Sequence, residues 1–233
     1  METEIPALLR EREERITFHS SRMRMRNVTP EELAAMNAQT ARAAAELADA
    51  RCDVIATACL VALMAQGPGY HCTAEDQIRE VLREEDALVP VVSSEGALLD
   101  GLRALGAARI AMVTPYEKPL TRQVADYIEA GGVEVHDALS LEVADNQAVA
   151  ALDPTDLREH WRRLDLTGCD ALVLSACVQM PSLPSIDPVE RECGLPVLSA
   201  ATATTFAMLD ALGLPTRIPR AGRLLSGEVA APA

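Results

Sequence analysis

Aromatic side chains are scarce in this chain: one Trp, three Tyr and two Phe among 233 residues. A core must therefore be built from Ala, Val, Leu and Ile, within an apolar fraction of 49%. Positive charge is also in deficit, with 21 Lys and Arg against 35 Asp and Glu and a formal net charge of −14. No basic patch offsets that field, which argues against nucleic acid or an anionic membrane as the main partner. A small anion stays admissible if local donors hold it. No apolar run approaches the ~20 residues a membrane span needs. The opening residues, METEIPALLREREER, are charged from the second onward and do not read as a secretory leader. The expected location is the cytoplasm, where thiols stay reduced. The six cysteines, at 52, 59, 72, 169, 177 and 193, contain no C-x-x-C pair and no zinc-ligand spacing. Thiol chemistry or plain burial is what remains for them.

What the chain does have is a repeat. CDVIATAC (52–59) and CDALVLSAC (169–177) share one spelling, as do VPVVSSEGALLDGLRALG (89–106) and LPVLSAATATTFAMLDALG (195–213). ITFHSSRM (16–23) answers VEVHDALS (133–140). Helix starts recur as well. Thr29-Pro30 with Glu32 and Asp153-Pro154 with Asp156 each supply an N-cap, a Pro at the first helical position and an acid at the third. Thr73 with Asp76 and Asp187-Pro188 with Glu190 read as the next openings.

Short apolar strands alternating with helices predict an α/β fold with parallel sheets, as two pseudo-symmetric Rossmann-like lobes. The lobes are expected at 1–107 and 108–221, followed by a flexible tail at 222–233. The second half reads as four strands, at 109–114, 133–136, 171–175 and 196–199. The first half reads as three, at 16–19, 53–58 and 88–92. Its unmatched partner is ARIAMVTPY (108–116), which precedes a helix at 119–130, whereas the corresponding first-half helix, 4–15, opens near Met1. The first strand of lobe 1 is thus expected to be missing. That predicts either a longer natural product or a weakly stable, weakly active protein, since a lost buried strand exposes sheet edges.

Cys59 and Cys177 each close an apolar strand. In open parallel sheets ligands bind beyond the carboxyl ends of the strands, so both thiols belong to the functional rim of their lobe. Burial is the default for any cysteine, and Cys52, Cys72, Cys169 and Cys193 are left to it. Repeat equivalence and position lift Cys59 and Cys177 above that default. A thiol beside backbone amides at a helix opening can act as nucleophile or acid/base. The amides around Leu60-Val61 and Val178-Gln179 are candidate carboxylate donors, with Ser175 and Thr57 behind them. His19 and His136 read as structural, the Arg22, Arg24 and Arg26 run as a solvated loop, and GPGYH (67–71) as turn chemistry.

TACLVALMAQGPGYH, VTPYEKPL, ADNQAVA and above all LSACVQMPSLPSIDPVERECGLPVLSAATATTFAML resemble the maleate cis–trans isomerases of the aspartate/glutamate racemase superfamily. The similarity runs from Met1 to about Leu214. It implies two α/β lobes with the active site between them, no cofactor, a small dicarboxylate substrate and a homo-oligomer. It also implies Cys59 as the nucleophile that adds to the maleate double bond, and Cys177 as the second thiol across the substrate. Tyr116 and Asn146 match positions that hydrogen-bond the substrate's carboxylates. A substrate-binding Asn that the family carries before the segment METEIPALLR has no counterpart here. The rival readings are a two-thiol amino-acid racemase and a non-catalytic ligand-binding protein. Single-thiol decarboxylase chemistry ranks lower, because both thiols are present.

Overall fold

The second-half strands form as their apolar runs dictate. In the computed structural model, which describes residues 2–232, β3 (Arg109–Thr114), β4 (Glu134–Ser140), β5 (Ala171–Ser175) and β6 (Val197–Ser199) make a parallel sheet ordered β4-β3-β5-β6. In the first half, β1 (Ile55–Thr57) pairs in parallel with β2 (Val91–Ser93), and these two strands are the whole of that sheet. Both sheets connect through helices. The first half holds α1 (Glu4–Leu8), α2 (Pro30–Asn37), α3 (Thr40–Asp49), α4 (Leu60–Met64), α5 (Tyr70–Glu84) and α6 (Ser94–Ala104). The second half holds α7 (Lys118–Ala130), α8 (Asn146–Ala150), α9 (Leu157–His160), α10 (Leu183–Cys193) and α11 (Ala200–Ala211).

Several expectations need correction. Residues 16–19 do not form a strand. Their repeat mate β4 is held by β3, an inner strand of its sheet, and no described strand fills that place beside 16–19. Without a ladder partner, an alternating run stays merely extended. The space between 16–20 and β1 is instead a groove of about 710 Å³, with Ile5, Ile16, Phe18, Ile55 and Leu209 in its walls. The expected helix 4–15 stops at Leu8. Beyond it Arg12 pairs with Glu14 and donates to the Pro215 carbonyl at 2.7 Å, which turns the chain. α5 starts at Tyr70 rather than Thr73, because Gly69 at φ 77° takes the left-handed turn ahead of it. α10 starts at Leu183, so Pro188 lies inside the helix. The stretch from 222 does not begin as a free tail: Leu224 and Leu225 are fully buried in the core.

The two halves share one hydrophobic core, which runs from Ile5 to Leu225. α6 and α11 are its seam. Gly101 permits their approach, since a Cβ there would sit 3.2 Å from Leu224 and 3.4 Å from Ala203. Both helices begin alike: Ser93 caps α6 by accepting from Gly96 N, and Ser199 caps α11 by accepting from Thr202 N. No helix among the described residues is long and apolar enough to cross a membrane.

Candidate active site

Cys59 stands two residues beyond β1, as the N-cap of α4. Cys177 stands two residues beyond β5. The repeat thus delivers one thiol from each sheet to the carboxyl-end rim. The Ala62 amide, which donates to the Cys59 carbonyl at 3.0 Å, lies near enough to lower the Cys59 thiol's pKa, as the Met180 and Gln179 amides do for Cys177. The Cys177 turn is fixed by Ser175, whose hydroxyl donates to the carbonyls of Cys177 (2.9 Å) and Met180 (3.2 Å). Ser175 is therefore structural.

The two thiols belong to one electrostatic cluster. Burial pushes Cys59 up to about 12, with the Ala62 amide opposing and the charges of Glu95 and Cys177 adding to the rise. As a residue Cys59 is half-buried, but its thiol faces inward among protein atoms, and the inward environment governs its ionisation. Burial also raises Cys177, while hydrogen bonds from Tyr116 and the amides pull it back. Tyr116 is 4% exposed, and burial lifts its hydroxyl well above the usual phenol range, with Cys177, Cys59 and Glu95 adding to the shift. Both thiols and the phenol are accordingly neutral at rest.

Leu60 and Val61 are buried in the first turn of α4, where amides have no intrahelical acceptor. Val178 is buried beside Cys177. Asn146 opens α8, half-buried, and its carbonyl accepts from the Gln179 side chain at 2.5 Å, which ties it to the Cys177 loop. Thr57 ends β1. The remaining thiols lie elsewhere: Cys52 packs with the small α3–α5 cluster and Cys169 precedes β5. His136 lies within β4, against Arg109 and 3.2 Å from Asp165, while His19 is exposed on the 16–20 segment. The Arg22, Arg24 and Arg26 side chains are exposed, with Arg22 paired to Glu2 at 2.8 Å. A concavity of about 880 Å³ lies along β4 between Lys118 and Arg163, with neither thiol in its lining. Its position carries no chemistry of the Cys59–Cys177 pair.

Three residues of the cluster escaped the sequence reading. Glu95 is fully buried in the first turn of α6. Tyr127, from α7, accepts from the His71 amide at 3.2 Å and meets the His71 ring, and burial raises its hydroxyl to about 12. The one available signal was the repeat itself, in which Glu95 falls where the second half has Ala201.

The sequence model of the arylmalonate decarboxylase family matches residues 3–225. Maleate isomerase of Geobacillus stearothermophilus is 55% identical over 98% of this chain and 93% of its own. The maleate isomerase Iso from Pseudomonas putida S16, a cysteine-to-alanine variant solved with maleate, is 55% identical with a TM-score of 0.96, covering 98% of this chain and 93% of that one. A cysteine-to-serine variant of the Nocardia farcinica maleate cis–trans isomerase, carrying a covalently bound succinylcysteine intermediate, is 51% identical with a TM-score of 0.95, over 97% and 93%. Arylmalonate decarboxylase, at 23% identity and a TM-score of 0.73 over 82% and 83%, shares the fold.

Proposed function

The chain belongs to the arylmalonate decarboxylase family, with maleate isomerases among its relatives, and from that premise we propose that it converts maleate to fumarate by reversible cysteine addition. The observation that carries this reading is the convergence of Cys59 and Cys177, from different sheets, on one cluster with Tyr116. The relative solved with a succinylcysteine intermediate supports the covalent route.

The chemistry is a net addition of S–H across the double bond. The Cys59 sulfur bonds to C2 and the C2–C3 π bond becomes a C3–H bond. Cys177, neutral at rest, donates the C3 proton and is recharged with the proton that Cys59 gives up. Rotation about the C2–C3 single bond, loss of a C3 proton and expulsion of the thiolate give fumarate. Enediolate charge develops during addition, and neutral donors fixed in advance stabilise it at no reorganisation cost. Tyr116, Asn146 and the amides of Leu60, Val61 and Val178 are assigned that role. The assembly is assigned as a homo-oligomer, and the two lobes to 1–107 and 108–221.

Proton NMR of maleate with the purified protein tests this directly. Fumarate should appear, and in D2O it should carry deuterium, because the C3 proton exchanges through the thiols. Cys59→Ser should reduce turnover to background. Exchange of the aspartate α-proton without fumarate would establish a racemase instead, and ligand-dependent melting without either reaction would establish a binder.

A further inference from the structure

The first turn of α6 holds a group that the isomerisation scheme leaves idle. Glu95 is 0% exposed, and neither carboxyl oxygen has a hydrogen-bond partner among the described residues. The adjacent Ser94 hydroxyl is equally without a geometrically formed bond, although it lies close enough to pull the carboxyl slightly down. The neighbouring acid behaves differently. Glu75 accepts from the Ser93 amide at 3.1 Å and from its hydroxyl at 2.5 Å, and pairs with Arg79 at 2.7 Å. One carboxyl is therefore a hydrogen-bonded structural anchor, and the other is an isolated acid in the interior.

Isolation in the interior is costly unless the group stays neutral. Burial lifts Glu95 well above the usual carboxylate range, and the charge of Glu75 adds to the rise. The groups around it come from every packed element. Cys59 opens α4, His71 and Glu75 belong to α5, and Tyr127 lies on α7, with Tyr116 on the loop after β3. α11 brings only Ala, Thr, Phe, Met and Leu over 200–209. A negative charge on Glu95 raises Cys59, Tyr116 and Tyr127 together. The pseudo-symmetric half shows that the fold does not require an acid here, because Ala201 holds the matching position in α11, equally buried.

We propose that Glu95 is a positioning residue that acts through Cys59: protonated, it leaves the site neutral and open to a dicarboxylate, and ionised, it suppresses thiolate formation at Cys59 and repels the substrate. Its proton thus sets an alkaline limit on the reaction. The inference rests on Cys59 being the reactive thiol, and its test has a readout that needs no turnover.

Alkylation of the full chain by iodoacetamide, followed at Cys59 by peptide mass mapping across pH, measures thiolate formation there. In Glu95→Gln, and in Glu95→Ala, the half-point for Cys59 alkylation should move at least one pH unit lower than in the parent. The alkaline fall of kcat/KM for maleate should move to higher pH by a similar interval, and Glu95→Asp should keep the parent's fall. Two variants guard against misfolding in either one. Alkylation profiles that superimpose on the parent's in a folded Gln or Ala variant would overturn the proposal. Absence of fumarate with a shifted alkylation profile would leave Glu95's action on Cys59 standing and remove the isomerase reading.

Discussion

At Cys177 two opposed effects meet on one sulfur. Burial favours the neutral thiol, and the Tyr116 hydroxyl, with two amides, favours the thiolate. Removing the hydroxyl leaves burial less opposed, so the thiol must rise further and give up its proton less readily. Tyr116→Phe keeps the ring in its 4%-exposed site and deletes only the donor. It should lower kcat by about a hundredfold, the order found when one preorganised oxyanion donor is lost. Cys177 alkylation at fixed pH should slow in parallel. Unchanged kcat with a raised KM would instead place Tyr116 in ground-state binding. The two thiols were legible in the sequence because duplication marks equivalent positions and strand ends mark the rim. Tyr116 and Asn146 were not legible from their own surroundings and came from the resemblance. Glu95 was missed because a single acid in SSEGALL reads as a favourable first-turn charge, and only folding shows that it points away from water.

Strands differ from single residues in needing neighbours. β3 and β5 were read with their observed bounds because each is a compact apolar run flanked on both sides in the sheet, and the edge strands β4 and β6 within a few residues. ITFH at 16–19 has the same local alternation and forms no ladder. Its failure is non-local: period-2 patterning says which face a strand would bury, and cannot say whether a neighbour exists. The consequence falls on β1, the strand that leads into Cys59. It is three residues long and among the described residues pairs only with β2, and a two-stranded pair is marginal by itself. β3, by contrast, is paired on both sides. Amides at 55–57 and 91–93 should therefore exchange with solvent about tenfold faster than those at 110–113 and 171–174, opening below the global unfolding limit. Hydrogen exchange read by mass spectrometry checks this, and equal protection across both sheets would show that the shared core, rather than strand pairing, sets local stability. If maleate adds to Cys59 as proposed, its binding should slow the first-half amides in preference, because Cys59 lies just beyond the end of β1.

Over the whole molecule the net charge of −14 sets the approach of any dianion. Enzymes that steer a charged substrate surround the site with the opposite sign and lose rate as salt screens that field. Here the groups that hold the thiols are amides and a phenol, so attraction acts only at contact while repulsion acts at range. Cations on the first-half surface do little to offset it, since Arg22 is paired with Glu2, Arg42 with Glu46, and Arg79 with Glu75 and Asp76. The sign of the salt effect follows. Raising ionic strength from about 0.01 M to about 0.15 M shortens the screening length from roughly 30 Å to roughly 8 Å, which removes most of the long-range repulsion and leaves the contact donors untouched. The kcat/KM for maleate should rise several-fold over that interval, mainly through KM, and then level off as the added anions compete for the same donors. Thiol addition to the uncharged dimethyl ester of maleate, followed as Cys59 adduct by mass spectrometry, should stay flat over the same range and separates screening from any effect of salt on the fold. A fall in kcat/KM with salt would mean that a local positive field outweighs the global charge, and would direct attention to the exposed Arg22, Arg24 and Arg26 loop as its source.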